Sequence, residues 1–157
     1  MAETPSFRIL FVCTGNTCRS PLAEALARRD LKRRGWSHVE VASAGTSAHP
    51  GSPASSGSLQ AAAAHGLDLS SHEARALEPA LLDEADIVLT MSARHLAVVR
   101  SRGAQARADV LTHFVGDSAG GVPDPFGADL RVYLDTYAAL DGLVSRALDQ
   151  LGTVLDP

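Results

Sequence analysis

The segment VCTGNTCRSP, residues 12–21, places two cysteines, an arginine and small hydroxyl residues around Gly15. Three chemistries use such a group: a zinc site, a redox disulfide and a nucleophilic cysteine in an anion-binding loop. A zinc site would need a second ligand pair, but the chain has no other cysteine and its six histidines form no i, i+4 pair. A thioredoxin-type motif needs C-x-x-C, whereas four residues separate Cys13 from Cys18. We therefore expect no metal, and a reversible Cys13–Cys18 bond is kept as an alternative to the main function.

The third chemistry rests on the spacing Cys-x5-Arg between Cys13 and Arg19. A loop that bends back on itself can point its backbone N–H groups inward, and the start of a following helix adds positive potential. Such a nest binds a tetrahedral oxyanion and stabilises a thiolate, so Cys13 is the candidate nucleophile. The planar fork of Arg19 can hold two phosphate oxygens at once. The phosphate-binding residues of this interpretation are Thr14, Gly15, Asn16, Thr17, Cys18, Arg19 and Ser20.

The types of four residues fit the same chemistry. Gly15 and Asn16 are residue types that tolerate the left-handed backbone expected in such a loop. Ser20 can either cap the helix or donate a hydrogen bond to the sulfur of Cys13. Asp124 lies in VPDPFG, where Asp-Pro alone predicts only a turn. Together with a Cys-x5-Arg loop, Asp124 becomes the candidate acid for a leaving group.

The elements that must position these residues alternate between strand and helix. Strands are predicted at residues 7–12, 38–45 and 85–91, with a weaker one at 108–114. Helices are predicted from Ser20 and Pro21 to Gly35, before Gly66, at 92–102, and after a glycine-rich loop in the last segment. The last helix has the best apolar period, and its Tyr133 and Tyr137 are interpreted as core residues. The pattern predicts one α/β sandwich domain over 1–157, with ligands bound beyond the carboxyl ends of parallel strands.

Charge and hydropathy exclude several classes of partner. The net charge of −4 and the isoelectric point near 5.8 argue against nucleic acid. The basic run RRDLKRR at 28–34 is interpreted as an exposed helix end, with a docking patch for an acidic partner as the alternative. The chain has no apolar run near the ~20 residues that span a bilayer, and its N-terminus lacks signal-peptide features. We therefore expect a cytoplasmic, monomeric protein with no membrane partner.

These motifs resemble the low-molecular-weight protein phosphatase family. The matching stretches are V-C-x-G-N-x-C-R-S-P-x-A-E at 12–24, S-A-G-T at 43–46, ADIVLTM and D-P-F-G at 124–127. The resemblance implies a three-layer α/β sandwich with a four-stranded parallel sheet and helices on both faces. It implies that Cys13 forms a cysteinyl-phosphate, Arg19 holds the phosphoryl oxygens, and Asp124 protonates the leaving group and then activates water.

The same resemblance assigns supporting roles and partners. Asn16 and Ser43 match positions that hold the loop in shape, and Cys18 matches a cysteine that traps Cys13 as a reversible disulfide. Phosphorylated proteins are the implied partners, inorganic phosphate is the implied product, and no cofactor is required.

The substrate depends on which branch of the family the chain resembles. Tyrosine phosphatases usually carry a bulky aliphatic residue at the position of Thr17, whereas the loop C-T-G-N-T-C-R-S and the D-P-F-G motif resemble the protein-arginine phosphatases. A small hydroxyl residue favours a guanidinium over a phenyl ring, although Thr17 could simply fill a β-branched position. Residues 46–53 lack a large aromatic, which leaves His49 and Phe126 as flat faces for the substrate.

Three other functions use parts of this motif. Arsenate reductases of the same fold pass oxidation to further cysteines, which this chain lacks. A phosphoryl-carrying cysteine domain of a sugar transport system would retain its phosphate, whereas Asp124 is expected to activate water. A phosphate-binding module would not need Cys13 and Asp124 together.

Overall fold

The computed structural model describes residues 7–103 and 107–155. Residues 1–6, 104–106 and 156–157 lie outside this range. They include the first part of the N-terminal segment that lacks signal-peptide features and the last two residues of the predicted domain. Within the described residues, the elements in chain order are β1 (Phe7–Cys13), α1 (Arg19–Arg34), β2 (Val39–Gly45), α2 (Ser56–Ala64), α3 (Pro79–Glu84), β3 (Ile87–Thr90), α4 (Ala93–Ser101), β4 (Arg107–Val110), α5 (Leu111–Phe114) and α6 (Leu130–Leu155).

The four strands form one parallel sheet in the order β2-β1-β3-β4. Cys13, at the end of β1, is paired in register with Gly45 at the end of β2. The two central strands, β1 and β3, are apolar and buried along almost their whole length, as strands covered on both faces must be. The expected four-stranded parallel α/β fold is confirmed.

Successive residues of β1 point to opposite faces of the sheet and therefore enter different cores. Ile9, Phe11 and Cys13 belong to the larger core, which also contains apolar side chains of α1, α2 and α6. Leu10 and Val12 belong to the smaller core, which is closed by α3 and α4. This period of two places helices on both faces and makes the three layers.

Helix α6 packs along α1 and carries the apolar stripe that the sequence predicts. Tyr133 and Tyr137 are 5% and 1% exposed, which confirms them as core residues. The basic run at 28–34 is the C-terminal part of α1, as predicted, but two of its arginines reach α6. Arg29 contacts Asp141 at 2.6 Å, and Arg34 contacts Asp149 at 2.8 Å. No helix among the described residues is both long and apolar enough to cross a membrane.

Two predictions of secondary structure need correction. The strand predicted at 108–114 ends at Val110, and Leu111–Phe114 forms α5 instead. The His113 ring nitrogen Nδ1 lies 2.8 Å from the carboxylate of Asp109, four residues earlier. Leu111 and Phe114, three residues apart, are both buried. Contacts at spacings of three and four are typical of a helix. Helix α3 was not predicted, although a proline at its first position is a helix-start signal.

Candidate active site

The loop 14–18 lies at the carboxyl edge of the sheet, between the end of β1 and the start of α1. Beside it is a pocket of about 370 Å3. Among the lining residues are most of those that the sequence singled out: Cys13, Thr14, Gly15, Thr17, Cys18, Arg19, His49, Asp124 and Phe126. Ser47 and Ser52 also line it and were not predicted. The strand edge therefore brings two thiols, one guanidinium and one carboxylate to a shared cavity.

Asn16 holds the loop from its centre. It is fully buried and has a φ of 56°, the only positive φ of a non-glycine residue in the described part of the chain. The expectation of a left-handed backbone is therefore confirmed for Asn16 and wrong for Gly15. The Asn16 side-chain oxygen accepts from the backbone of Arg75 at 2.8 Å, and its carbonyl accepts from the His72 ring at 2.7 Å. These bonds compensate for a conformation that asparagine adopts more readily than most residues.

A chain of hydrogen bonds leads from Asn16 to the sulfur of Cys13. Asn16 Nδ2 donates to Ser20 Oγ at 2.8 Å and to Ser43 Oγ at 2.9 Å. Ser43 donates onward to Glu24 at 2.6 Å. Because Ser20 Oγ accepts from Asn16, its own hydrogen is available to Cys13 Sγ, which lies 2.9 Å away. A donor at this distance stabilises a thiolate.

The alternative role of Ser20 as a helix cap is not observed. Helix α1 begins at Arg19, with Cys18 in the cap position and no side-chain cap bond. Ser20 therefore lies in the first turn of α1, where its side chain contacts Cys13 and Asn16, and the last residue of the loop, Cys18, occupies the cap position.

Arg19 is 5% exposed and is fixed from one side. Its Nη1 donates to the carbonyl of Val122 at 2.8 Å, and its Nη2 lies 3.6 Å from the Asp124 carboxylate. Its Nε is buried and has no partner among the described residues. An unpaired, buried guanidinium N–H in an anion-binding pocket is a ready donor to a phosphoryl oxygen.

Asp124 combines the two interpretations that the sequence left open. One carboxylate oxygen accepts from the backbone of Phe126 at 3.1 Å, which makes the expected turn. The other faces Arg19, and the side chain is 48% exposed. Its neighbour Phe126 is 74% exposed and forms an apolar rim beside the carboxylate.

The remaining predicted residues line the pocket at its sides. Cys18 and Cys13 are both buried free thiols, and Cys18 Sγ lies 3.2 Å from Ser55 Oγ. The half-buried Thr17 is anchored through its carbonyl, which accepts from the Ser55 backbone at 2.8 Å. His49 is exposed at the rim. No cluster of three or more potential metal ligands occurs within the described residues.

Three residues that support the loop were not predicted from the sequence: His72, Glu24 and His95. Glu24 falls within the quoted motif, but its distance from the cysteine gave no sign of its contact. His95 Nε2 lies 2.8 Å from Thr14 Oγ1. Burial, with the positive charges of Arg19 and Arg94, lowers the pKa of His95 to about 4, against the opposing charge of Asp124.

Comparison with known proteins agrees with this geometry. Residues 8–155 match the family described as low molecular weight phosphotyrosine protein phosphatase. A protein-arginine-phosphatase of Bacillus subtilis is 38% identical over 145 residues, which cover 91% of this chain and 95% of the relative. The tyrosine phosphatase PtpB of Staphylococcus epidermidis is 40% identical over 88% of this chain and 95% of its own length.

A solved structure extends the comparison to the fold. It is a mutant of the YwlE arginine phosphatase with a phosphorylated active-site serine, 35% identical, with a TM-score of 0.87 and coverage of 92% of this chain and 95% of that one. The match in sequence, fold and extent has one consequence: this chain belongs to the low molecular weight phosphotyrosine protein phosphatase family.

Proposed function

We propose that this chain hydrolyses phosphoarginine in proteins, with Cys13 as the nucleophile. The observation that carries the mechanism is the position of Cys13 Sγ. It lies in the pocket, 2.9 Å from a serine hydroxyl whose hydrogen is free to stabilise a thiolate. A thiolate there can attack the phosphorus atom, which forms an S–P bond and breaks the bond to the leaving group.

Arg19 holds the phosphoryl group during this transfer. Its Nε has no partner within residues 7–103 and 107–155, and Nη1 is fixed by the Val122 carbonyl, so the guanidinium is oriented before substrate binds. Backbone N–H groups of the loop 14–18 complete the cradle. Donors that are already oriented contribute most where charge develops in the transition state.

Asp124 acts on the opposite side of the phosphoryl group. Its half-exposed carboxyl donates a proton to the departing nitrogen or oxygen. The resulting carboxylate then takes a proton from water, which attacks the cysteinyl-phosphate and releases inorganic phosphate and the thiolate. No metal or other cofactor takes part in these steps.

The choice of phosphoarginine rests on Thr17, Asp124 and Phe126. Thr17 leaves more space than an isoleucine would and adds a hydroxyl at the pocket wall. The neutral carboxyl of Asp124 can give its proton to the leaving guanidine nitrogen, and the resulting carboxylate can pair with the guanidinium that departs. The exposed ring of Phe126 can cover the aliphatic part of an arginine side chain. Relatives named as arginine phosphatases support this choice.

Phosphotyrosine is the second candidate substrate. The rings of His49 and Phe126 both line the pocket and offer flat faces to a phenyl group. The 40% identity to a tyrosine phosphatase is as high as that to the arginine phosphatases. Overall identity therefore does not separate the two substrates, and the residues at the pocket wall must.

The deciding experiment measures kcat/KM on two peptides of the same sequence, one with phosphoarginine and one with phosphotyrosine. We expect the wild type to prefer phosphoarginine, and Thr17→Ile to shift the ratio toward phosphotyrosine by about tenfold or more. Thr17→Val is the matched control, since it keeps the shape of threonine and removes only the hydroxyl. A wild type that prefers phosphotyrosine, with a ratio unchanged in Thr17→Ile, would refute the arginine assignment.

Cys13→Ser tests the nucleophile separately. We expect no turnover of either peptide by this variant. Phosphate release at the wild-type rate would contradict the mechanism, whichever substrate is preferred.

We propose that Cys18 protects Cys13 from irreversible oxidation. Both thiols line the same pocket, and Cys18 is buried beside Ser55. A hydroperoxide would convert the Cys13 thiolate to a sulfenic acid, and attack by the Cys18 thiol would release water and form the disulfide. Peroxide inactivation that a dithiol reverses in the wild type, but not in Cys18→Ser, would support this role. The monomeric state and the cytoplasmic location stay predictions from sequence.

A further inference from the structure

A histidine outside the proposed catalytic set contacts the loop from behind. His95 lies in the first turn of α4 and is 3% exposed. Its Nε2 is 2.8 Å from Thr14 Oγ1, and its Nδ1 is 2.9 Å from Ser92 Oγ. Thr14 directly follows Cys13, is exposed and lines the pocket. The imidazole therefore connects the start of α4 to a hydroxyl at the reacting centre.

The hydrogen bonds of Ser92 favour a hydrogen on Nε2 of the His95 ring over one on Nδ1. Ser92 Oγ accepts from the backbone N–H of His95 at 3.3 Å, as the N-cap of α4. Its own hydrogen is then directed to the neighbouring acceptor, His95 Nδ1. The pKa of about 4 makes the ring neutral at neutral pH, so it carries a single N–H. A hydrogen on Nε2 satisfies all of these contacts, because Ser92 then donates to Nδ1 and Nε2 donates to Thr14.

With this tautomer, Thr14 Oγ1 accepts one hydrogen bond from His95 Nε2, and the hydrogen of the Thr14 hydroxyl stays available to another acceptor. Thr14 lines the pocket, and the charges of both Arg19 and Asp124 act on the His95 ring that contacts it. A hydroxyl hydrogen in this pocket can be donated to an anionic oxygen, and the loop 14–18 is shaped to bind an anion.

We propose that His95 is a positioning residue that fixes the Thr14 hydroxyl as a hydrogen-bond donor to the phosphoryl group. The series Ser92, His95 and Thr14 orients this donor before substrate binds, so it strengthens the cradle of backbone N–H groups and Arg19. The proposal rests on the proposed function in one respect, that a phosphoryl group occupies this pocket. It does not depend on the choice between phosphoarginine and phosphotyrosine, because the donor contacts the group that both share.

The first test reads the tautomer directly in the wild-type protein. The 15N chemical shifts of the His95 ring at neutral pH distinguish Nε2–H from Nδ1–H. We expect Nε2–H, with a further shift of these signals when inorganic phosphate is added. A ring with its hydrogen on Nδ1 would overturn the proposal, because Thr14 would then donate to His95 and not to the phosphoryl group.

The second test is a double-mutant cycle between Thr14→Val and His95→Leu. It is read by kcat/KM and by the inhibition constant of inorganic phosphate. A hydrogen bond to a charged oxygen is worth roughly tenfold or more in each, so each single variant should lose about that factor. Because His95 acts through Thr14, the double variant should lose no more than Thr14→Val alone.

A conservative variant separates positioning from packing. The amide nitrogen of His95→Gln can reach the place of Nε2 and donate to Thr14, and we expect most of the loss to be restored. Losses in the cycle that simply add, or a Gln variant as poor as Leu, would assign His95 a structural role only. If the wild type bound phosphate but hydrolysed neither peptide, the proposed function would fail, while the tautomer and the affinity for phosphate, both read from the 15N shifts, would still test the Thr14 contact.

Discussion

Gly45 is the residue at which the smallest chemical change should have the largest effect on the loop. It is the last residue of β2 and is paired with Cys13 of β1. On its other side, its backbone is hydrogen-bonded to the segment 75–77. Its N–H donates to the Arg75 carbonyl at 2.9 Å, and its carbonyl accepts from Leu77 at 3.0 Å. Since these bonds hold the strand in place, an added side chain must displace the loop and not the strand.

The size of the displacement follows from the space around a methyl group built at this position. That methyl would overlap the carbonyl oxygen of Thr14 and lie 2.9 Å from the nitrogen of Asn16. Ordinary van der Waals contact requires the loop to move by at least about half an ångström. Misplacement by ~1 Å can cost ~100-fold in rate, so Gly45→Ala should lower kcat/KM by about tenfold to a hundredfold. Overpacking should also cost about 1–3 kcal/mol of the free energy of unfolding.

The assay compares Gly45→Ala with Gly142→Ala by phosphopeptide turnover and by urea unfolding. Gly142 is exposed within α6, and a methyl there would meet nothing within 4 Å. The control should keep full activity and gain about 0.5–1 kcal/mol, because alanine is the better helix former. Wild-type kcat/KM in Gly45→Ala would refute the reasoning that close backbone approach sets the shape of the loop.

Three further predictions test the site by other means. Arg19→Lys keeps the charge but removes the planar guanidinium that the Val122 carbonyl orients. We expect kcat to fall by about 100-fold or more, while inorganic phosphate still inhibits. A kcat within twofold of the wild type would contradict this. Ser43→Ala leaves a buried Asn16 donor unpaired, and urea unfolding should show a loss of about 1–3 kcal/mol, whereas no loss would mean that this bond adds no stability. Because the pKa of His95 falls from 6.5 to about 4 on folding, the stability it contributes is present above pH 6.5 and lost toward pH 4. Wild type should lose about 3 kcal/mol more than His95→Gln across that window, and equal losses in urea unfolding would contradict the burial argument.

Much of the fold could be predicted because its signals are local. The apolar runs of β1 and β3 and the left-handed Gly35 at the end of α1 each depend on a few adjacent residues. The prediction failed at 108–114, where an apolar run fits a strand or a helix equally well. There the contact between Asp109 and His113, together with the buried faces of Leu111 and Phe114, favoured the helix.

For the site, too, the features that could be predicted from the sequence are the local ones. The spacing from Cys13 to Arg19 fixed a candidate nucleophile and anion-binding loop without any structure, because a strand, a short loop and a helix start are local geometry. The position of Asp124 near Arg19 agrees with the prediction that ligands bind beyond the carboxyl ends of parallel strands, which share one edge of the sheet.

The sequence by itself therefore determined the family of the chain, the order of its strands and longer helices, and most of the residues that line the pocket. Tertiary structure alone decided which side chains hold those residues in place. Asn16 is fixed by His72, and Thr14 by His95, across 56 and 81 residues of chain. The chain has six histidines, and each ring can donate or accept a hydrogen bond. Only the packing of the folded chain selects among such equivalent groups, because a hydrogen bond depends on distance and angle that sequence separation does not encode.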